Sequence, residues 1–128
     1  MFITSAMYAG LLGLAAVFLA VQVILQRRKK KVALGYGKSR ELKDRGRAFE
    51  NFTEYVPIAL LLMMIVEFSG GNQALLHMSG LSLIFGRLLH AIAIYRRIIR
   101  LRVVGMSLTF FSIVTLSLMS LYLSFGTH

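Results

Sequence analysis

The sequence has no cysteine and few acidic residues. Its 128 residues include five Asp and Glu against fifteen Lys and Arg, which gives a net charge of +10. Without a thiol, the chain can form no disulfide, no thiolate metal site and no cysteine nucleophile. Two long segments, residues 2–26 and 103–127, carry no charge at all. Each is longer than the about 20 apolar residues that a helix needs to cross a bilayer.

The apolar content predicts a membrane protein. Apolar residues make up 57% of the chain and the mean hydropathy is +0.72. A soluble domain of this size could not bury so much apolar surface. We therefore expect an all-α integral membrane protein with a single domain over residues 1–128, built as a four-transmembrane-helix bundle. The expected spans are about 2–26, 48–69, 74–96 and 103–125. The first lacks a basic n-region and is too long for a signal peptide, so we expect it to be retained.

The basic residues predict the orientation. Residues 27–47 hold ten of the fifteen Lys and Arg, and residues 96–102 hold four more. Short loops rich in Lys and Arg lie on the cytoplasmic side of a membrane. We therefore expect a basic cytoplasmic loop at 27–46 and both termini on the non-cytoplasmic side. The same rule explains the net charge without nucleic acid as a partner.

Polar residues stand where the second span begins. Ser39 can cap a helix that runs from about Arg40 straight into this span. Arg47, Asn51 and Glu54 then follow at i, i+4 and i+7, which places them on one face of that helix.

The third span also carries polar residues on one face, Arg87 and His90. Arg87 lies eight residues before Tyr95, or roughly 12 Å below the end of the span. A charge at such depth normally has a partner, and the predicted partner is Glu54. Such a pair can serve either helix packing or function.

The clustering of polar residues at one membrane level favours a functional role over a role in helix packing alone. Seven polar residues fall in the cytoplasmic half of the spans: Arg47, Asn51, Glu54, Arg87, His90, Tyr95 and Arg102. The other half has only Glu67 and His77, which we expect near water at the boundary. The excess of arginine predicts an anionic ligand, because guanidinium groups bind carboxylate or phosphate in a bidentate manner. A lipid headgroup or a small peptide with two carboxylates would fit, and no metal-ligand spacing is present.

Four motifs resemble the MAPEG family, membrane-associated proteins in eicosanoid and glutathione metabolism, and are closest to a small bacterial inner-membrane branch. They are "KKVALGYG" at 30–37, "RAFENFTEYVP" at 47–57, "GRLLH" at 86–90 and "LRVVGM" at 101–106. The resemblance implies a homotrimer in a bacterial inner membrane, with glutathione bound as co-substrate between subunits and no metal.

The resemblance also implies roles for individual residues. Arg47, Asn51 and Tyr55 would hold the tripeptide, Glu54 would pair with Arg87, Gln26 or Arg27 would contact a carboxylate, and His90 and Tyr95 would complete the site. Arg102, or failing that Arg100, would stabilise the glutathione thiolate, since an adjacent guanidinium lowers the pKa of a thiol. A family tyrosine seven residues after the third-helix Arg is Ile94 here, so Tyr95 matches only with a one-residue shift.

Three functions follow from these patterns. The first is a glutathione-dependent transferase or peroxidase that acts on a lipophilic small molecule arriving from the lipid bilayer along the first and fourth helices. The second is a non-catalytic membrane scaffold that binds lipid or a partner protein. The third, a proton-coupled exporter, is disfavoured because the first span carries no acid.

Overall fold

The computed structural model describes residues 2–126 and consists of four helices. They are α1 (Ile3–Lys30), α2 (Arg40–Phe68), α3 (Gln73–Arg96) and α4 (Ile99–Gly126). All four are long and apolar enough to cross a membrane. The prediction of an all-helical chain with four candidate spans is thereby confirmed. We call the end of the bundle that carries residues 27–47 and 96–102 the basic end.

At the basic end the helices continue further than hydropathy predicts. α1 runs on to Lys30, and Lys31 closes it in the left-handed conformation, its N–H donating to carbonyls of the last turn. The four basic residues of that turn lie at the negative end of the helix dipole, which stabilises them there. The expected basic loop at 27–46 is therefore mostly helical, and its connection is residues 31–39.

The start of α2 agrees with the predicted cap. The Ser39 side chain accepts from the backbone N–H of Leu42. The connection before it is held against α2, because the Tyr36 hydroxyl donates to Glu50 and its ring covers Gly46, where a Cβ would lie 2.5 Å away. The hydrogen bond to Glu50 raises the pKa of Tyr36 above its ordinary value.

Helices α3 and α4 touch at their backbones. A Cβ added to Gly105 would lie 2.7 Å from the carbonyl oxygen of Gly86 and 2.7 Å from the amide nitrogen of His90. A side chain at Gly105 would therefore force the two helices apart. This contact sets the height and rotation of α4 against α3, including those of Arg102, one turn before Gly105.

The opposite end of the bundle corrects one prediction. Glu67, expected near water, is buried, with only 7% of its surface exposed. Its Oε2 accepts from the backbone N–H of Ser5 at 3.1 Å. Glu67 thus satisfies one of the free amides in the first turn of α1, at the positive end of that helix. His77 is exposed, as expected, and its carbonyl accepts from the Tyr8 hydroxyl at 3.2 Å.

Candidate functional site

A polar pocket lies at the basic end where α2, α3 and α4 meet. Its volume is about 190 Å³. The residues that line this inner pocket are Arg47, Glu50, Asn51, Glu54, His90, Ile94 and Arg102. Five residues predicted from the sequence are therefore brought together from three helices. Glu50, which was not predicted as a site residue, lies one turn before Glu54 and shares its face.

Arg87 supports this pocket from behind. It is buried, with 4% of its surface exposed. Its Nη2 donates to Asn51 Oδ1 and lies 3.3 Å from His90 Nδ1, and its guanidinium lies over the Phe52 ring. Arg87 thus fixes the orientation of two side chains that line the inner pocket.

The predicted ion pair between Arg87 and Glu54 is wrong for the single subunit. Within residues 2–126 the ion pairs are Lys30–Glu41 and Arg97–Asp44. Glu54 is exposed, and Asn51, one turn earlier on α2, accepts from Arg87 in its place. The carboxylate therefore remains free to meet a ligand.

The hydrogen bond from Arg87 also decides the tautomer of His90. A guanidinium only donates, so the Nδ1 of His90 accepts and the ring is neutral with its proton on Nε2. This Nε2 is buried and has no partner among the described residues. His90 lines the inner pocket, but its Nε2–H is shielded within the single subunit.

On α4, the structure distinguishes the two arginines that the sequence left open. Arg102 lines the inner pocket, whereas Arg100 does not belong to its lining. Both side chains are exposed, so neither is needed for the core. Of the two, Arg102 is therefore the arginine that a ligand of the inner pocket would contact.

Tyr95 lies outside the inner pocket of the single subunit, and its role in holding glutathione stays a prediction. The residues of α3 that line that pocket are His90 and Ile94. One residue further on, a rotation of about 100°, the Tyr95 ring packs under the Arg45 guanidinium at 4.6 Å and lines an apolar cleft of about 280 Å³ between α1 and α3. Within one subunit α3 therefore gives the inner pocket no hydroxyl, and the one-residue shift inferred from the motif stays a prediction.

The remaining predicted residues lie around the site. Tyr55 is half-buried and edge-on to Phe110, with the ring centroids 5.5 Å apart. Arg27 donates to the carbonyl of Gly35 at 2.6 Å, which holds the 31–39 connection. The Gln26 Oε1 is buried without a partner among the described residues. Neither Gln26 nor Arg27 lines the inner pocket within one subunit.

Two further cavities continue the inner pocket towards the start of α2. A middle pocket of about 310 Å³ shares Arg47, Ile94 and Arg102 with it. An outer pocket of about 480 Å³ is lined by Tyr36, Gly37, Lys38, Ser39, Arg40, Lys43, Asp44 and Arg47. We call the three together the basic groove. The outer half of the basic groove was not predicted from the sequence, although Arg40 and Lys43 precede Arg47 at helical spacing.

Comparison with known proteins agrees with this architecture. The MAPEG family model matches residues 5–122, which include parts of all four helices and every residue of the inner pocket. The chain belongs to the MAPEG family. It is 35% identical over 118 residues to the inner membrane protein YecN of Escherichia coli K12, covering 92% of this chain and 90% of that protein. YecN of E. coli O6:H1 strain CFT073 matches to the same extent.

In this MAPEG chain, the substitution Arg87→Met tests whether the buried guanidinium organises the pocket. Methionine fills similar space but leaves the Asn51 and His90 acceptors without their donor, which typically costs about 1–3 kcal/mol. We expect the free energy of unfolding to fall by that amount in a denaturant titration. As control, Arg97→Met removes an exposed pair with Asp44 that contributes less than about 1 kcal/mol. Equal losses in the two variants would contradict an organising role.

Proposed function

We propose that this MAPEG protein binds glutathione in the inner pocket and activates its thiol. The observation that carries the proposal is the convergence of Arg47, Asn51, Glu54 and Arg102 in one polar pocket formed by membrane helices. Glutathione carries two carboxylates and one ammonium group. Arginines can bind its carboxylates in a bidentate manner, and the acids Glu50 and Glu54 can accept from its ammonium.

In the proposed mechanism, Arg102 stabilises the thiolate, because a guanidinium next to a thiol lowers its pKa from the ordinary value of about 8.5. With an electrophile, the thiolate sulfur forms a bond to carbon while the leaving group departs with its electron pair, or an epoxide opens and takes up a proton. With a hydroperoxide, the sulfur bonds to the distal oxygen as the O–O bond breaks, and the released alkoxide takes up a proton to give the alcohol. A second glutathione then converts the sulfenic acid to a disulfide and water.

The other residues position the peptide in this proposal. Arg87 acts through Asn51 and His90, which it orients. Gln26 or Arg27 would reach a glutathione carboxylate only from a neighbouring subunit, so the proposed enzyme is an oligomer, and the family resemblance implies a homotrimer. We further propose the bacterial inner membrane as its location, with both termini on the non-cytoplasmic side and the basic end in the cytoplasm.

A glutathione titration of the detergent-purified protein tests the proposal. We expect saturable binding heat together with a rise in thiolate ultraviolet absorbance. Arg47→Leu should weaken binding about 10-fold or more, the value of one charge-assisted hydrogen bond. Arg28→Leu, an exposed arginine outside the groove, serves as control and should bind as before.

A second candidate is a non-catalytic scaffold, and one observation favours it. Ile94, which lines the inner pocket together with His90 of the same helix, has a side chain that can neither donate nor accept a hydrogen bond. If the titration shows neither thiolate absorbance nor binding heat, the Arg87–Asn51–His90 network is a packing device and the scaffold function holds.

A further inference from the structure

The basic groove is longer than the ligand proposed for it. From Asn51 to Arg40 it follows eleven residues of α2, or roughly 16 Å at the helical rise. Three α-linked residues span at most about 11 Å when fully extended, and the γ-glutamyl link of glutathione adds roughly 2.5 Å, so that even extended glutathione is shorter than the groove. If glutathione occupies the inner pocket, as proposed above, the outer pocket is left for another group.

The outer pocket carries a surplus of positive charge. Four cationic side chains line it, from Lys38, Arg40, Lys43 and Arg47. Its single acid, Asp44, is already bound by Arg97, whose Nη2 lies 2.9 Å from the carboxylate. Among the residues that the structure describes, none of the four cations takes part in an ion pair. These four unpaired cations favour the binding of an anion with several acceptor oxygens.

The wall of the outer pocket is held in place by specific contacts. The connection that forms one wall is fixed at two points: Arg27 binds the Gly35 carbonyl, and Tyr36 binds Glu50 and packs on Gly46. Gly37, at a φ of 57°, turns the chain towards Lys38. The cations therefore project from a held loop and from one face of a helix around a cavity of about 480 Å³.

The position of the outer pocket relative to the bilayer indicates which anion is available to it. Twenty residues, enough to cross the hydrocarbon core, lead back along α2 from Phe68 to Phe49. The part of α2 that carries Arg40, Lys43 and Arg47 therefore emerges into the headgroup region. Basic residues immediately outside a span bind the phosphates of anionic lipids in this layer.

We propose that the outer pocket is a binding site for the phosphate of an anionic phospholipid. This site is distinct from the inner pocket, although Arg47 lines both. Lys38, Arg40 and Lys43 bind the phosphate oxygens, and Tyr36 holds the wall. The acyl chains lie along the outer surface of α2. Each subunit binds one such headgroup.

Native mass spectrometry tests this site. The protein is titrated with phosphatidylglycerol and, separately, with phosphatidylcholine of the same acyl chains. We expect one phosphatidylglycerol to be retained per subunit, in preference to phosphatidylcholine. The double substitution Lys38→Gln/Lys43→Gln should weaken this binding about 30-fold, since each Lys near the surface contributes about a factor of five.

A matched control removes the same charge elsewhere at the basic end. Arg28→Gln/Lys29→Gln alters two exposed residues of α1 that do not line the outer pocket. It should change the affinity for phosphatidylglycerol less than twofold. Equal losses in both double variants would show a diffuse basic surface and overturn the proposal, as would equal retention of the two lipids.

Two further measurements separate the possible sources of phosphate and the two proposals. Soluble glycerol phosphate should bind far more weakly than the lipid; equal binding would assign the pocket to a soluble phosphate compound instead. Glutathione titration of Lys38→Gln/Lys43→Gln should give the affinity of the unchanged protein. If neither the unchanged protein nor the double variant bound glutathione, the proposal of thiol activation would be contradicted. The lipid measurement would still test the outer pocket.

Discussion

Substituting Arg102 by Leu is expected to abolish the thiolate signal of bound glutathione and to lower the rate of conjugation about 10²–10³-fold. This is the typical loss when one charge-stabilising donor is removed from an active site. Arg102 lines the inner pocket, yet its side chain is exposed. The change should therefore alter the free energy of unfolding by no more than about 0.5 kcal/mol. Thiolate absorbance, turnover with a model electrophile and a thermal melt measure the three quantities.

Arg100→Leu is the matched control for this prediction. Arg100 carries the same charge two residues earlier on α4, is exposed and does not line the inner pocket. It should retain both the thiolate signal and the turnover. A loss in Arg100→Leu equal to that in Arg102→Leu would mean that net charge at the basic end, and not a placed guanidinium, activates the thiol.

The second large effect is expected from Gly105→Ala. The added methyl group would meet the Gly86 carbonyl and the backbone of His90 at 2.7–3.0 Å. Neither obstacle is the end of a flexible side chain, so the helices themselves must separate. Overpacking of this kind costs typically about 1–3 kcal/mol. Because Arg102 lies one turn away, we expect the thiolate absorbance to fall together with the melting temperature.

Gly13→Ala separates this packing effect from the general effect of removing a glycine. Nothing lies within 4 Å of a Cβ at Gly13 in α1. Alanine favours a helix by up to about 1 kcal/mol over glycine, so this variant should be as stable as the original or more stable. If Gly105→Ala behaved in the same way, the close crossing of α3 and α4 could not be what positions Arg102.

Hydropathy and charge predicted the four helices because both are local properties of the sequence. Span length follows from counting apolar residues, and the cap at Ser39 depends only on its neighbours. The face shared by Arg47, Asn51 and Glu54 likewise follows from helical periodicity. These features do not depend on how the helices pack against each other.

The incorrect predictions concern features that depend on how the helices pack against each other. Periodicity placed Arg87 opposite α2 but could not tell whether Asn51 or Glu54, one turn apart, would meet it. Which of Ile94 and Tyr95 lines the inner pocket of one subunit also depends on the roll of α3, which the Gly86–Gly105 contact fixes against α4. Glu67 lies near the end of its helix, yet the first turn of α1 covers it. Each of these outcomes requires the relative placement of two helices.

The attachments of α1 have a mechanical consequence. Near the N-terminus of α1, the backbone N–H of Ser5 donates to the Glu67 carboxylate. Near its C-terminus, Arg27 donates to the carbonyl of Gly35 in the 31–39 connection. These anchors stand twenty-two positions apart, or roughly 33 Å along the axis. Between them α1 borders the apolar cleft, and Leu12 and Leu19 in its middle are buried in the core beside that cleft. A molecule that enters this cleft from the lipid phase therefore meets a wall that is attached near both ends and packed at its middle.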